Sequence, residues 1–276
     1  MSNNSLLILG AGESGVGAAL LGKQRGWEVF VSDGGSLKAQ HRQELEAAGI
    51  SYEEGSHDME RILKADCVVK SPGIGEKAPA VKAIRQAGIE IISEIEFAFR
   101  YIGDSKVIAI TGSNGKSTTT KLTYHLLKDG GMDVSLVGNI GYSFARQVAE
   151  RPTAWYALEV SSFQLDDIKT FKPHVAVLLN ITPDHLDRYN YRFEDYAAAK
   201  FRITENQTED EFFIINLDDP QITGWLESRP SAAKTLPITM NEQKLIQEDG
   251  AYIKDDEMHL RYEGEDASLP VQDLTV

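Results

Sequence analysis

Gly112-Ser-Asn-Gly-Lys-Ser-Thr118 combines two glycines, a lysine and three hydroxyls in one short run, and the chemistry this suggests is phosphate binding. Gly112 and Gly115 let a backbone turn sharply and bring its N–H groups close to a ligand. Ser113 and Asn114 lie inside that turn. Lys116 would reach outer phosphates and the Ser117 hydroxyl would ligate Mg²⁺. N–H groups at the start of a following helix would meet the anionic oxygens. The general phosphate-loop pattern asks for a glycine five residues before Gly115, where this chain has Ile110. A bare Gly-Lys-Ser often arises by chance, so the flanks decide. Val107–Ile110 has the profile of a short buried strand, and Ser117–Lys128 that of a helix opened by hydroxyl residues. The plain alternative is an ordinary strand–turn–helix link with Lys116 solvated.

A second glycine pattern stands near the start. Leu6–Leu9 reads as a buried strand, followed by Gly10-Ala-Gly-Glu-Ser-Gly15 and a helix over Val16–Arg25. A further strand over Trp27–Ser32 ends in Asp33, close to where dinucleotide folds place a ribose-binding carboxylate. A nicotinamide enzyme is the first guess, but G-x-G-x-x-G mostly reports tight strand–helix packing and phosphate proximity. Two strand ends further on carry polar groups. In Ala157-Leu-Glu-Val-Ser-Ser162, alternation puts Glu159 and Ser161 on one face. After the strand Val175–Leu179 come Asp184, His185 and Asp187. A lone histidine there is most often a surface residue, but flanking aspartates beside a phosphate loop point to metal chemistry.

These residues require an alternating scaffold. Strands at Ala65–Lys70 and Glu90–Ile92, a rigid turn at Ser71-Pro-Gly-Ile-Gly75 and a helix over Ala78–Ala87 complete a doubly wound α/β domain over residues 1–93. A second α/β domain, 94–276, is built on the phosphate loop, with strands at Val134–Val137, Trp155–Val160 and Phe212–Asn216 and a helix over Glu194–Asn206. Beyond Asp218 the pattern fades, apart from a hairpin over 251–262 turning at Asp255-Asp256. The chain has 276 residues, 42% hydrophobic and 25% charged, as in a soluble globular protein. Its formal charge of −14 argues against a nucleic-acid partner, since no basic stripe is present to neutralise a phosphate backbone. The single cysteine, Cys67, excludes an internal disulfide and sits in an apolar run, as a buried structural thiol would. With no secretion signal and no apolar run long enough for a membrane, a cytoplasmic location is expected.

Thr111-Gly-Ser-Asn-Gly-Lys-Ser-Thr118, with threonine opening the loop, resembles the Mur ligase family, which includes folylpolyglutamate synthase. Leu158-Glu-Val-Ser-Ser-Phe-Gln-Leu165, Asn180-Ile-Thr-Pro-Asp-His-Leu-Asp-Arg-Tyr189 and Ala197-Ala-Ala-Lys200 follow in that family's order and spacing. Ser71-Pro-Gly73, Ser93-Glu-Ile-Glu96 and Asp187-Arg-Tyr189 look most like the member that adds D-glutamate to UDP-N-acetylmuramoyl-L-alanine in peptidoglycan synthesis. The resemblance implies a Rossmann-like first domain holding the UDP end of the substrate through Glu13, Ser14, Asp33 and Gly73. Asn139, in Gly138-Asn-Ile-Gly141, and Ser161 would also contact that substrate. ATP would occupy Gly112, Ser113, Asn114, Gly115, Lys116, Ser117 and Thr118. Ser117 and Glu159 would hold one Mg²⁺, His185 a second, and Lys200 would be carbamylated. Lys116, Glu159, His185 and Lys200 would carry catalysis in a monomer.

The resemblance also implies a third, C-terminal domain for the incoming amino acid, which would lie beyond Val276. The chain is then expected to be a fragment, inactive alone. Competing expectations are another ligase of the family, for a different amino acid or folate, a nicotinamide oxidoreductase resting on residues 10–33 alone, and a non-catalytic UDP-sugar-binding module.

Overall fold

The computed structural model describes residues 4–245 and 249–273. In chain order its strands are β1 (Ser5–Leu9), β2 (Glu28–Asp33), β3 (Ser51–Glu54), β4 (Cys67–Lys70), β5 (Glu90–Ser93), β6 (Lys106–Thr111), β7 (Val134–Gly138), β8 (Trp155–Glu159), β9 (Val175–Leu178), β10 (Phe212–Asn216), β11 (Lys234–Thr239), β12 (Gly250–Lys254), β13 (Glu257–Tyr262) and β14 (Glu265–Pro270). Two compact units emerge. One holds the chain up to Lys106 together with Thr120–Phe171; the other holds Val107–Thr119 and the chain from Lys172 on. The sequence suggested a single cut after residue 93. The interleaving has a physical source, since the helix Glu13–Gln24 packs against both Glu94–Phe99 and Phe144–Glu150.

The first unit is built on a parallel sheet in the order β3-β2-β1-β4-β5. A parallel sheet is covered on both faces, so its central strands read as continuous apolar runs. Leu6–Leu9 is such a run, with every side chain buried. Leu7 and Leu9 share a core with Val81 and Ile84 of the helix Pro79–Gln86. Burial of an aliphatic side chain of that size contributes about 2 kcal/mol. Strands β7 and β8 form a parallel pair in the same unit. Glu96, wholly buried, accepts from the N–H groups of Lys169, Thr170 and Phe171 and from Arg100. Burial alone would raise its pKa; these donors outweigh it and hold the carboxyl below its ordinary value. Burial pushes the Cys67 thiol up to about 12, which marks it as structural.

In the second unit the strand order is β14-β13-β12-β11-β10-β9-β6. Neighbours from β6 to β12 run parallel, and β12, β13 and β14 form an antiparallel meander. The turn at Asp255 and Asp256 puts both residues at positive φ, 50° and 61°, as a two-residue hairpin demands. Among the described residues no helix is long and apolar enough to cross a membrane.

The glycine-rich loop after β1 separates two kinds of glycine. A Cβ on Gly15 would lie 1.9 Å from the Gly10 carbonyl oxygen, so backbone approach forbids any larger residue. A Cβ on Gly12 would meet nothing within 4 Å, and its φ of −76° suits any residue. Gly15→Ala is therefore expected to destabilise the protein by about 2 kcal/mol, and Gly12→Ala by less than about 1 kcal/mol. Urea unfolding of the two variants measures the difference; equal losses would refute this account.

Candidate functional site

The phosphate loop leaves β6 at Thr111, turns through Gly112 (φ 155°) and Gly115 (φ 83°), and enters the helix Lys116–Asp129. Lys116 Nζ donates to the carbonyls of Gly112 and Ser113, at 2.8 and 2.9 Å. Ser113 faces inward. Its hydroxyl donates to the Thr182 carbonyl at 2.9 Å and accepts from the Thr182 N–H at 2.9 Å. With its one proton committed, it accepts from the Tyr196 hydroxyl, also at 2.9 Å. The Ser113 N–H donates to the Asn180 carbonyl and the Asn114 N–H to Asn180 Oδ1, while Asn180 Nδ2 returns a bond to the Asn114 carbonyl. Ser113 and Asn114 thus brace the loop. The cradle proper is the helix start, Gly115 to Thr118, where Ser117 and Thr118 are exposed.

Lys200 lies on the helix Phe193–Phe201, which continues as a tight turn over Arg202–Thr204. Only 2% exposed, it donates to the Gly112 carbonyl at 2.8 Å, and its ammonium stands 4.7 Å from the Tyr196 ring centre. Burial, reinforced by the charge of Lys116 and opposed by Asp184, lowers its pKa to about 7. Tyr196 escaped the sequence reading; its signal was its place one helical turn before Lys200. His185 has left-handed backbone (φ 48°) and an exposed side chain whose Nε2 lies 3.5 Å from Asp184 Oδ2. Asp184, His185 and Asp187 do not assemble a centre: among the described residues no group of three or more His, Cys, Asp or Glu is arranged to hold a metal ion.

In the first unit, Glu159 ends β8 and is buried. Its Oε1 accepts from Asn139 Nδ2 at 2.8 Å, and its carbonyl accepts from the Asn139 N–H at 3.0 Å, so the two residues act as a pair. Ser161 does not share a strand face with Glu159, as alternation suggested. The strand stops at Glu159, and Ser161 caps the short helix Ser162–Leu165, exchanging bonds with Gln164 in a capping box. Glu13 pairs with the Arg146 guanidinium at 2.7 and 3.1 Å, and Ser14 is half-buried in the first helical turn. Asp33, at the end of β2, accepts from the N–H groups of Ala11 (2.6 Å) and Gly35 (2.8 Å). Gly73 is exposed in the turn after β4, and a Cβ there would meet nothing within 4 Å. Asp33, Gly73 and the glycine-rich loop gather at the carboxyl ends of adjacent strands, where open α/β sheets bind ligands. Gly12 and Gly73 need no glycine for folding, which suits close approach by a ligand.

The fold and the loop define a phosphate-loop α/β protein that also carries a Rossmann-like unit. Residues 110–272 match the Mur ligase middle domain, and residues 4–93 match the Mur ligase MurD-like N-terminal domain. The chain belongs to the Mur ligase family. Curated relatives named UDP-N-acetylmuramoylalanine--D-glutamate ligase include one from Christiangramia forsetii, 48% identical over 98% of this chain and 60% of the relative. Another, from Cytophaga hutchinsonii, is 53% identical over 91% of this chain and 55% of the relative. The chain therefore spans little more than half the length of these relatives. Among solved structures, the UDP-N-acetylmuramate:L-alanyl-gamma-D-glutamyl-meso-diaminopimelate ligase from Neisseria meningitides has a TM-score of 0.63 at 19% identity, covering 98% of this chain and 87% of that one. UDP-N-acetylmuramate-alanine ligase MurC from Thermotoga maritima has a TM-score of 0.52 at 18% identity, covering 96% and 60%. These structures share the fold.

The lowered pKa of Lys200 has a consequence for stability. Between about 7 and the ordinary lysine value of 10.5, the unfolded chain binds the proton that the folded chain has lost. The Lys200 contribution to stability therefore rises with pH across that window. Denaturant titrations at several pH values should show this slope flattened in Lys200→Met; an unchanged slope would contradict the assignment.

Proposed function

We propose that this chain supplies the UDP-substrate and ATP parts of an ATP-dependent ligase that joins D-glutamate to UDP-N-acetylmuramoyl-L-alanine in peptidoglycan precursor synthesis. The observation that carries this reading is the near-50% identity to relatives of that name, which runs through both units. In the proposed reaction the substrate carboxylate attacks the γ-phosphorus of ATP, ADP leaves, and an acyl phosphate forms. The amine of D-glutamate then attacks the acyl carbon, and phosphate leaves as the amide forms. Bringing anions together calls for positioning and compensating charge rather than covalent catalysis by the protein.

Lys116 is proposed to leave the loop carbonyls for the β- and γ-phosphates. Gly112, Ser113 and Asn114 shape the loop, and Gly115, Ser117 and Thr118 meet the phosphates. Ser117 and Glu159 are the proposed ligands of one Mg²⁺ and His185 of a second, and the ions would offset phosphate charge. An alcohol and a carboxylate suit this hard cation, which takes few protein ligands and completes its shell with phosphate and water. Asp33, Gly73, Asn139, Ser14, Glu13 and Ser161 are assigned to the UDP substrate, the last two indirectly, since Arg146 and Gln164 already engage them. Lys200 is proposed to be carbamylated, because carbamate formation needs a neutral amine and burial favours one. We read the protein as a cytoplasmic monomer.

Two measurements test this. Calorimetry should find UDP-N-acetylmuramoyl-L-alanine binding more tightly than NADH; the reverse order would favour the oxidoreductase reading. With ¹³C-labelled CO₂ at fixed concentration, a carbamate carbon resonance should grow as pH rises through about 7 and be absent from Lys200→Ala. A resonance that persists in Lys200→Ala would move the adduct elsewhere.

A further inference from the structure

Next to Asp33 lies a histidine with no assigned role. Ser32, the preceding residue in β2, is wholly buried, and its hydroxyl lies 2.6 Å from Glu53 Oε1 and 2.7 Å from His57 Nδ1. Ser32 and Glu53 are register partners across β2 and β3. Glu53 also accepts from the Asp58 N–H, at 2.9 and 3.1 Å to its two oxygens, which folds the segment after β3 back and brings His57 over the end of β2. The proton order follows from what each group can do. An ionised carboxylate only accepts, so the Ser32 O–H points to Glu53. The Ser32 oxygen must then accept from His57, which fixes the neutral imidazole with its proton on Nδ1 and a bare lone pair on Nε2.

That lone pair is presented at the ligand end of the sheet. The His57 ring is half-buried, and among the described residues its Nε2 has no hydrogen-bond partner. A Cβ built on Gly34 would lie 3.1 Å from Nε2, so the ring packs closely over the Gly34 backbone. Gly34 follows Asp33, whose carboxylate is tied to the glycine-rich loop through the Ala11 N–H. A nucleophilic role for Ser32 is excluded by its complete burial and by the commitment of its proton to Glu53. A metal role finds no support, since no suitable cluster exists among the described residues.

We propose that His57 recognises the nucleoside of the bound substrate, its Nε2 accepting a hydrogen bond from an N–H or O–H of the uridine. This rests on the UDP-substrate reading of the first unit. Uridine offers such donors at N3 of the base and at the ribose hydroxyls. The Glu53–Ser32–His57 chain sets the tautomer, so Ser32 and Glu53 are positioning residues.

The test is calorimetric titration of UDP, 3-methyluridine 5′-diphosphate and 2′- and 3′-deoxyuridine 5′-diphosphate into the wild type, His57→Leu and His57→Gln. Loss of one neutral hydrogen bond should weaken UDP roughly tenfold in His57→Leu. His57→Gln, which keeps an acceptor, should recover most of that loss. One analogue should bind the wild type roughly tenfold less tightly than UDP, yet bind His57→Leu as tightly as UDP does. Methylation having this effect identifies the base; a deoxy sugar identifies the ribose. Undiminished UDP affinity in His57→Leu, or wild-type discrimination among all the analogues in that variant, overturns the proposal. Imidazole ¹⁵N shifts of the free protein give an independent readout, and a proton on Nε2 rather than Nδ1 would overturn it too. A wild type with no affinity for UDP would instead refute the uridine reading itself.

Discussion

The Ser113 hydroxyl is the knot on which the phosphate-binding unit depends. It joins the loop to the Thr182 backbone and to Tyr196 on the helix Phe193–Phe201. The loop and two segments 69 and 83 residues further along the chain thereby share one buried oxygen. Each such bond contributes about 1 kcal/mol, but leaving one of these buried groups without a partner costs about 1–3 kcal/mol. The arrangement is thus held more by the penalty for breaking it than by the strength of any one contact. Its functional effect is transmitted along the helix. Tyr196 and Lys200 are one turn apart, so anchoring the tyrosine fixes where the lysine can stand. A hydroxyl inside a phosphate loop would ordinarily be counted as a ligand for phosphate. Here it determines the shape that the ligand meets.

The first unit solves the same problem with a carboxylate. Asp33 occupies the position where dinucleotide folds bind a ribose, and both of its oxygens are engaged by backbone N–H groups. The glycine-rich loop is therefore fastened to the end of β2 before any ligand arrives. Each carboxylate oxygen keeps a second lone pair, so fastening does not preclude binding. Glu13 is similarly committed to Arg146. Both units draw their loop rigidity from side chains that sequence patterns would assign to ligands.

Much of the architecture was legible because burial writes itself into apolar runs. Leu6–Leu9 and Val175–Leu178 announce themselves, and the alternation of strands with helices implies parallel sheets. What stayed hidden has little burial to record. The helix Ala39–Ala47 buries only His41 and Leu45, and β3 and β14 bury none of their side chains fully. Glu159 and Lys200 stand out in the sequence by their motifs, but the strand face given to Ser161 was misread because periodicity cannot reveal where a strand stops and a cap begins. His57 and Tyr196 were missed for a different reason. Their significance lies in partners at Ser32 and Ser113, and no local spacing encodes those pairings.

Electrostatics at Gly112 link the loop to its ligand. Lys116 and Lys200 each place Nζ 2.8 Å from the same carbonyl oxygen. Burial strips away the water that would solvate an ammonium at Lys200, and repulsion from the Lys116 charge adds to that penalty. Lys200 yields, losing affinity for its proton until its pKa falls to about 7. An anion arriving at the helix start would draw Lys116 outward and relieve the repulsion from the other side. A carbamate on Lys200 would turn the repulsion into attraction. In a chain of net charge −14, an anionic ligand gains little from the overall field. Lys116, beside the helix start, is therefore the local positive charge that an arriving anion would meet.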